Sequence, residues 1–254
     1  MVLPLQNQIV YGPIKSRRLG ISLGLNILSP YQKICSFDCI YCQYGKTNTR
    51  TMEPDPASLY DMDQIIIKAE QALKLHPALD YITFSGNGEP TLHPDFFEIA
   101  RSIKKLNEKY LPNVRLAIFS NATNLEENDV KKGLDLFDAK ILKLDAADQS
   151  TFMQINQPSH GLLIESIIQE LKWIPRVTIQ SLFLKGDITN IESKAYENWL
   201  KAIADIRPEA IQIYSTDRPV PDKRVEKVLP YELMRIVDEV RSKLNISIEA
   251  FWPI

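Results

Sequence analysis

Short apolar runs alternate with longer segments in which apolar residues recur every three or four positions. The runs are ISLGLNIL near the start, then YITFS (81–85), VRLAIFS (114–120), AKILKL (139–144), VTIQSLFL (177–184) and AIQIYS (210–215). Their β-branched and aromatic content predicts strands, and most are apolar on both faces, as parallel strands buried beneath helices should be. Between them, Phe96, Ile99, Ala100, Ile103 and Leu106 repeat at helical spacing after the start signals Pro94 and Asp95. Similar patterns predict helices over 61–75, 161–174, 194–206 and 231–244, with a weaker one over 125–136. Trp173 and Trp199 fall at helical spacing to Ile and Leu neighbours and read, with Trp252, as core.

Six strand-then-helix units follow from this pattern. Right-handed crossovers curl such units into most of a barrel, or into a doubly wound sheet if the strand order reverses; periodicity leaves the order open. In either case functional residues gather at the carboxyl ends of the strands. Those ends are polar here: SGNGEPTLHP (85–94), SNAT (120–123), KLDAAD (143–148), Gln180 with Ser181, and YSTDRP (214–219). The 254 residues read as one domain, with a core over about 19–215, an N-terminal extension over 1–18, and a C-terminal helix and strand within 216–254.

Composition narrows the class. Apolar residues at 44% and charged residues at 24% suit a globular protein, and no run approaches the roughly 18 apolar residues of a membrane span. The start, MVLPLQNQIVYG, lacks the pattern of a secretory signal, so the expectation is a cytoplasmic protein with no membrane partner. With 30 Lys plus Arg against 32 Asp plus Glu, nothing pulls the whole chain toward nucleic acid.

All three cysteines lie within one window, CSFDCIYC, at Cys35, Cys39 and Cys42. An odd number of thiols in a reducing compartment points to metal rather than disulfides. A structural zinc site normally closes with four ligands, and this chain has no second cysteine pair; His76, His93 or His160 would have to complete it. An iron–sulfur cube held by three cysteines instead leaves its fourth iron to a ligand from outside the protein. Lys143, between Leu142 and Leu144, is expensive to bury without an anionic partner, which argues for an inward-facing role over an edge position in solvent. Gln180 interrupts an apolar run and reads either as a ligand contact or as a satisfied core amide. Lys15, Arg17 and Arg18 read either as a solvated cationic loop or as contacts for an anionic substrate, with Tyr214 and Thr216 as weaker candidates.

CSFDCIYC, with Tyr41 before the last cysteine, resembles the signature of the radical S-adenosylmethionine (SAM) enzymes. YGPIKSRRLGISLGLN, SGNGEPTLHP and KLDA are similar to small single-domain members related to the wyosine-forming tRNA enzyme, which carries extra cysteines for a second cluster that this chain lacks. The resemblance implies a partial (βα)6 TIM-like barrel. It also implies a [4Fe-4S] cluster on Cys35, Cys39 and Cys42, with SAM chelated to the open iron and cleaved reductively to a 5′-deoxyadenosyl radical. By the same resemblance Tyr41 lines the adenine pocket, Gly86, Asn87, Gly88 and Glu89 meet the methionine ammonium, and Ser120, Asn121, Lys143 and Asp145 hold ribose hydroxyls and carboxylate. Pro90 would keep Glu89 extended. Gln180 would reach adenine or substrate, and Asn156 to Pro158 matches a motif of the same small group without a derivable role. A low-potential donor, flavodoxin or ferredoxin, would supply the electron for an oxidoreductase- or lyase-type reaction on a small molecule, tRNA or protein. Wyosine-type modification and glycyl-radical activation are the alternative reactions, and a non-catalytic zinc scaffold is the alternative class.

Overall fold

The computed structural model describes residues 3–76, 78–216, 222 and 224–252. The strands are β1 (Val10–Ser16), β2 (Gly20–Leu25), β3 (Ile34–Cys35), β4 (Thr49–Arg50), β5 (Tyr81–Phe84), β6 (Arg115–Ser120), β7 (Ala139–Lys143), β8 (Val177–Leu182), β9 (Leu184–Gly186), β10 (Ala210–Tyr214), β11 (Val225–Lys227) and β12 (Ser247–Phe251). The helices are α1 (Met62–Leu75), α2 (Phe96–Tyr110), α3 (Asn128–Leu134), α4 (Gln149–Ile155), α5 (Ile164–Leu171), α6 (Ser193–Ile206) and α7 (Pro230–Leu244).

Eight strands form the main sheet in the order β1-β2-β5-β6-β7-β8-β10-β12. Only β1 is antiparallel, to β2; the other neighbours are parallel. Spatial order follows chain order without reversal, which selects the barrel over the doubly wound sheet. β1 and β12 remain unpaired with each other, so the barrel is partial. All six strand-then-helix units are present, β12 adds a seventh parallel strand, and residues 10–16 join the sheet as β1.

The expectation that most strands are apolar on both faces needs correction. Outward residues such as Ile82, Phe84, Leu142, Leu144, Ile179, Ile211 and Ile213 join the core beneath the helices, where Phe84 and Phe137 meet edge to face at 4.9 Å. Residues alternating with these face the barrel interior. Low in that interior they are apolar, with Leu19, Ala117 and Ile141 packed around Tyr81; toward the carboxyl ends they become Lys143, Asp145, Gln180, Gln212 and Tyr214. Parallel strands bury both faces, but one of them lines a site.

Two helix assignments also change. The predicted helix over 161–174 is α5, and it ends at Leu171, so Trp173 lies beyond its buried stripe and is 78% exposed while Leu171 and Ile174 take the core positions. Trp199 is buried, its indole N–H donating to the Leu144 carbonyl at 3.2 Å and to Ser181 Oγ at 2.9 Å. Helix α4 had no sequence assignment; Asp148 caps it by accepting the Thr151 N–H at 2.9 Å, a local signal that was legible.

Candidate cluster and cofactor site

The cysteine loop follows β2 and is pinned to the strand ends around it. Ile34 N donates to the Asn87 carbonyl at 3.0 Å and Glu89 N to the Ile34 carbonyl at 3.1 Å, laying β3 against the SGNGEP turn. Gly88 makes this approach possible: its φ is +137°, and a Cβ there would stand 1.6 Å from the Ile34 carbonyl oxygen. On the other side Asp38 N donates to the Asn156 carbonyl at 3.0 Å, and Ser159 N to the Ser36 carbonyl at 2.7 Å. The Asn156–Pro158 segment is therefore a clasp on the cysteine loop, the role its sequence did not disclose.

The three thiols are free, Cys35 buried and Cys39 and Cys42 half-buried. Burial raises the Cys35 thiol pKa and pushes that of Cys39 up to about 12, with neighbouring anionic groups adding to both. Cys35 and Cys39 each have an N–H partner at sulfur. Asn121 Nδ2 lies 3.5 Å from Cys35 Sγ and Asn156 Nδ2 lies 3.4 Å from Cys39 Sγ, while the buried Lys33 ammonium donates to the Gly45 carbonyl at 2.8 Å and the three thiols favour its charged form. Lys33 was missed from sequence, where a lysine two residues before a cysteine carries no signal of burial.

The remaining nominated residues largely hold one another. Asp145 has a fully buried side chain and four donors: Lys143 Nζ at 2.8 Å and Leu182 N at 2.8 Å on Oδ1, the Tyr41 hydroxyl and Asn156 Nδ2 at 2.8 Å on Oδ2. A carboxylate accepts about four such bonds, so protein donors already fill Asp145. Lys143 lies inward, as its sequence context predicted, and its anionic partner is Asp145. Desolvation alone would lower its pKa, but Asp145 and Tyr214 hold it well above the ordinary lysine value. Its Nζ donates also to the Tyr214 hydroxyl at 3.1 Å and lies 5.2 Å from the Tyr41 ring centroid, leaving one N–H to give.

Glu89 is extended before Pro90, as expected, and 1% exposed. Burial raises its pKa, opposed by donors from Asn121 N (2.5 Å), Thr91 N (3.0 Å), Thr91 Oγ1 (2.8 Å) and Ser120. Asn87 is likewise spent, on Gln6 and Ser29, and the Cβ position of Gly86 faces Asn26. Gln180 is buried and donates to Gln212 Oε1 at 3.1 Å. Arg18 stacks between the rings of Tyr214 and Phe251 at 4.6 and 4.7 Å, whereas Arg17 and Lys15 are exposed and Thr216 is half-buried. The YSTDRP run lies outside the described residues from 217 to 219. Phe37, Asn121, Lys143, Asp145, Phe152 and Asn156 line one small hollow next to the cysteine loop.

Residues 29–153 match the family model of the Radical SAM superfamily. A radical SAM methyltransferase from Sphaerobacter thermophilus has the same fold, with a TM-score of 0.66 and 13% identity, covering 91% of this chain and 66% of that one. TYW1 with a lysine-pyruvate adduct bound follows at 0.57 and 15%, covering 87% and 73%. The chain belongs with the UPF0026 proteins and carries over residues 29–153 the match to the radical SAM superfamily, whose members are enzymes using a [4Fe-4S] cluster and SAM. Its sequence relatives are UPF0026 proteins, among them slr1464 of Synechocystis sp., 31% identical over 216 residues that cover 85% of this chain and 78% of the relative. A protein of Brachyspira hyodysenteriae named GTPase Obg is 30% identical over 250 residues, 96% of this chain, but the chain spans only 35% of that relative's length and 48% of the UPF0026 protein MJ1312 of Methanocaldococcus jannaschii.

The residues present fit a cube rather than a single ion. One zinc would draw thiolate sulfurs within about 3.8 Å of each other, and among the described residues no three His, Cys, Asp or Glu side chains are gathered in that way. His93 is engaged elsewhere, Nε2 with the Tyr60 carbonyl at 3.0 Å and Nδ1 with Asp95 N at 3.1 Å. Three free thiols in one loop, two of them with an amide N–H at sulfur and a buried lysine beside the loop, suit three corners of an iron–sulfur cube. Among the described residues no helix is long and apolar enough to cross a membrane.

Proposed function

We propose that Cys35, Cys39 and Cys42 hold one [4Fe-4S] cluster, that SAM binds over the ends of β6, β7 and β8, and that the chain is a radical enzyme acting on a substrate inside the barrel mouth. With a cluster on Cys35, Cys39 and Cys42 and SAM beside it, the site would supply reductive cleavage of the SAM S–C5′ bond and, through it, hydrogen abstraction from the substrate. The residues of this chain position the reactants and keep water out. Lys143, fixed by Asp145, offers its remaining N–H and its charge to the SAM carboxylate. Gln180 offers amide contacts to adenine or substrate. Phe37 and Phe152, packed edge to face at 5.2 Å, form an apolar wall beside the cluster loop.

Glu89, Asn87 and Asp145 support this arrangement from behind, since their polar atoms are already bonded. Arg17, Arg18 and Tyr214 stand as substrate contacts, and a flavodoxin or ferredoxin delivers the electron. The observation that carries the proposal is the Asn156 amide, which bonds Cys39 on one side and Asp145 on the other and so joins the cluster loop to the SAM rim in one rigid unit. Anaerobic reconstitution followed by incubation with SAM and dithionite tests it. The proposal requires 5′-deoxyadenosine and methionine to accumulate, and requires both to vanish in Cys39→Ala; a wild-type protein that binds iron yet yields neither refutes it.

A further inference from the structure

We infer that Lys33, Asn121 and Asn156 are positioning residues that raise the reduction potential of the cluster, the two asparagines each through one cysteine sulfur and Lys33 through a buried positive charge beside the cysteine loop. The inference rests on the proposed cluster at Cys35, Cys39 and Cys42. Asn121 pairs with Cys35 at 3.5 Å and Asn156 with Cys39 at 3.4 Å, while the buried Lys33 ammonium sits on the carbonyl of Gly45, whose own N–H donates to the Cys42 carbonyl at 2.9 Å.

Neither amide is free to turn its oxygen toward sulfur. Asn121 Oδ1 accepts Thr123 N at 3.2 Å and Thr123 Oγ1 at 2.9 Å, while its NH2 also donates to Ser36 Oγ at 2.7 Å. Asn156 Nδ2 donates to the Asp145 carboxylate at 2.8 Å, and an ionised carboxylate only accepts. Thr123 and Asp145, both outside the cluster loop, thus turn the two N–H groups toward the thiols.

Lys33 is the more unusual member. It is 3% exposed, its Nζ donates to the Gly45 carbonyl at 2.8 Å, and the three thiols lie near enough to favour its charged form. A buried ammonium is costly without an anion, and a cluster held by three thiolates is that anion. Reduction makes the cluster more negative. Donors at the sulfurs and a cation beside the loop stabilise the reduced form over the oxidised one and move the potential upward, within reach of a protein electron donor.

The test is a dithionite titration of anaerobically reconstituted protein followed by electron paramagnetic resonance, after iron and sulfide have been measured in each variant. Lys33→Met removes charge and donor, Lys33→Gln removes charge and keeps a donor, and Lys33→Arg restores both. The midpoint should fall in the order wild type, Lys33→Gln, Lys33→Met, with Lys33→Arg returning toward wild type. At a fixed potential Lys33→Met should show at least a tenfold lower ratio of reduced to oxidised cluster, 59 mV for one electron. Asn156→Ala should also fall below wild type. If Lys33→Met fails to take up iron, Lys33→Gln decides alone. Iron-loaded variants with the wild-type midpoint overturn the inference, as does a loss of iron or melting temperature without ordered midpoints. Wild-type protein that takes up no iron refutes the cluster reading instead, so the two failures are distinguishable.

Discussion

Asp145→Asn removes a charge and almost no volume from a carboxylate that four donors surround, in a side chain with no exposure. Two losses follow. The Lys143 ammonium, 16% exposed, keeps its place but loses its counter-ion; breaking a buried pair from one side costs about 3–5 kcal/mol. The new amide also turns an NH2 toward donors that had an acceptor, at about 1–3 kcal/mol for each group left unsatisfied. The two overlap, because local rearrangement that relieves one relieves part of the other, so a total near 3–5 kcal/mol is expected. At roughly 2–4 °C per kcal/mol in a domain of this size, the melting temperature should drop by about 6–20 °C. Circular dichroism melts of the cluster-free protein at pH 7 measure this. Lys143→Met should cost less, since Asp145 keeps three donors, and the double variant should melt above Asp145→Asn because no ammonium is stranded. An Asp145→Asn melt within about 2 °C of wild type, or a double variant whose losses simply sum, refutes the reasoning.

Gly88→Ala should fail to fold or to take up iron, since its Cβ would stand 1.6 Å from a backbone oxygen at a φ of +137°, and proteolytic susceptibility reads the outcome. Trp173→Ser should leave stability within about 0.5 kcal/mol, being 78% exposed, and a urea titration checks it. Burial lowers the His93 pKa, so the folded state binds its proton less readily than the unfolded chain does. Stability from this residue is therefore present above about pH 6.5 and is lost as pH falls through the depressed folded value. Urea midpoints at pH 7.5 and 5.5 should separate more in wild type than in His93→Gln.

The cysteine spacing and the polar strand ends were legible because both are local: three thiols in eight residues need no tertiary contact to be noticed. The barrel followed from a strand-and-helix alternation whose order the chain then kept. What the sequence withheld depends on distant partners. Asn156 meets Cys39 across 117 positions and Asn121 meets Cys35 across 86, and no periodicity reports such pairs. Asp145 and Glu89 looked like groups waiting for a ligand, and only the folded chain reveals donors already filling them. Lys33 resembled any loop lysine until the loop closed over it. Trp173 is exposed for a simpler reason: its helix stops at Leu171, three residues before the end that the apolar repeat suggests.

The central claim is a cube held by three thiolates, with one iron left for an outside ligand. Mössbauer spectroscopy of anaerobically reconstituted, iron-57-labelled protein, recorded before and after SAM is added, tests it most directly. The account predicts about four irons and four sulfides per chain, with one iron changing its signal on SAM addition while the other three stay as they were. A spectrum indifferent to SAM, or a protein that prefers one zinc to iron under the same conditions, contradicts it.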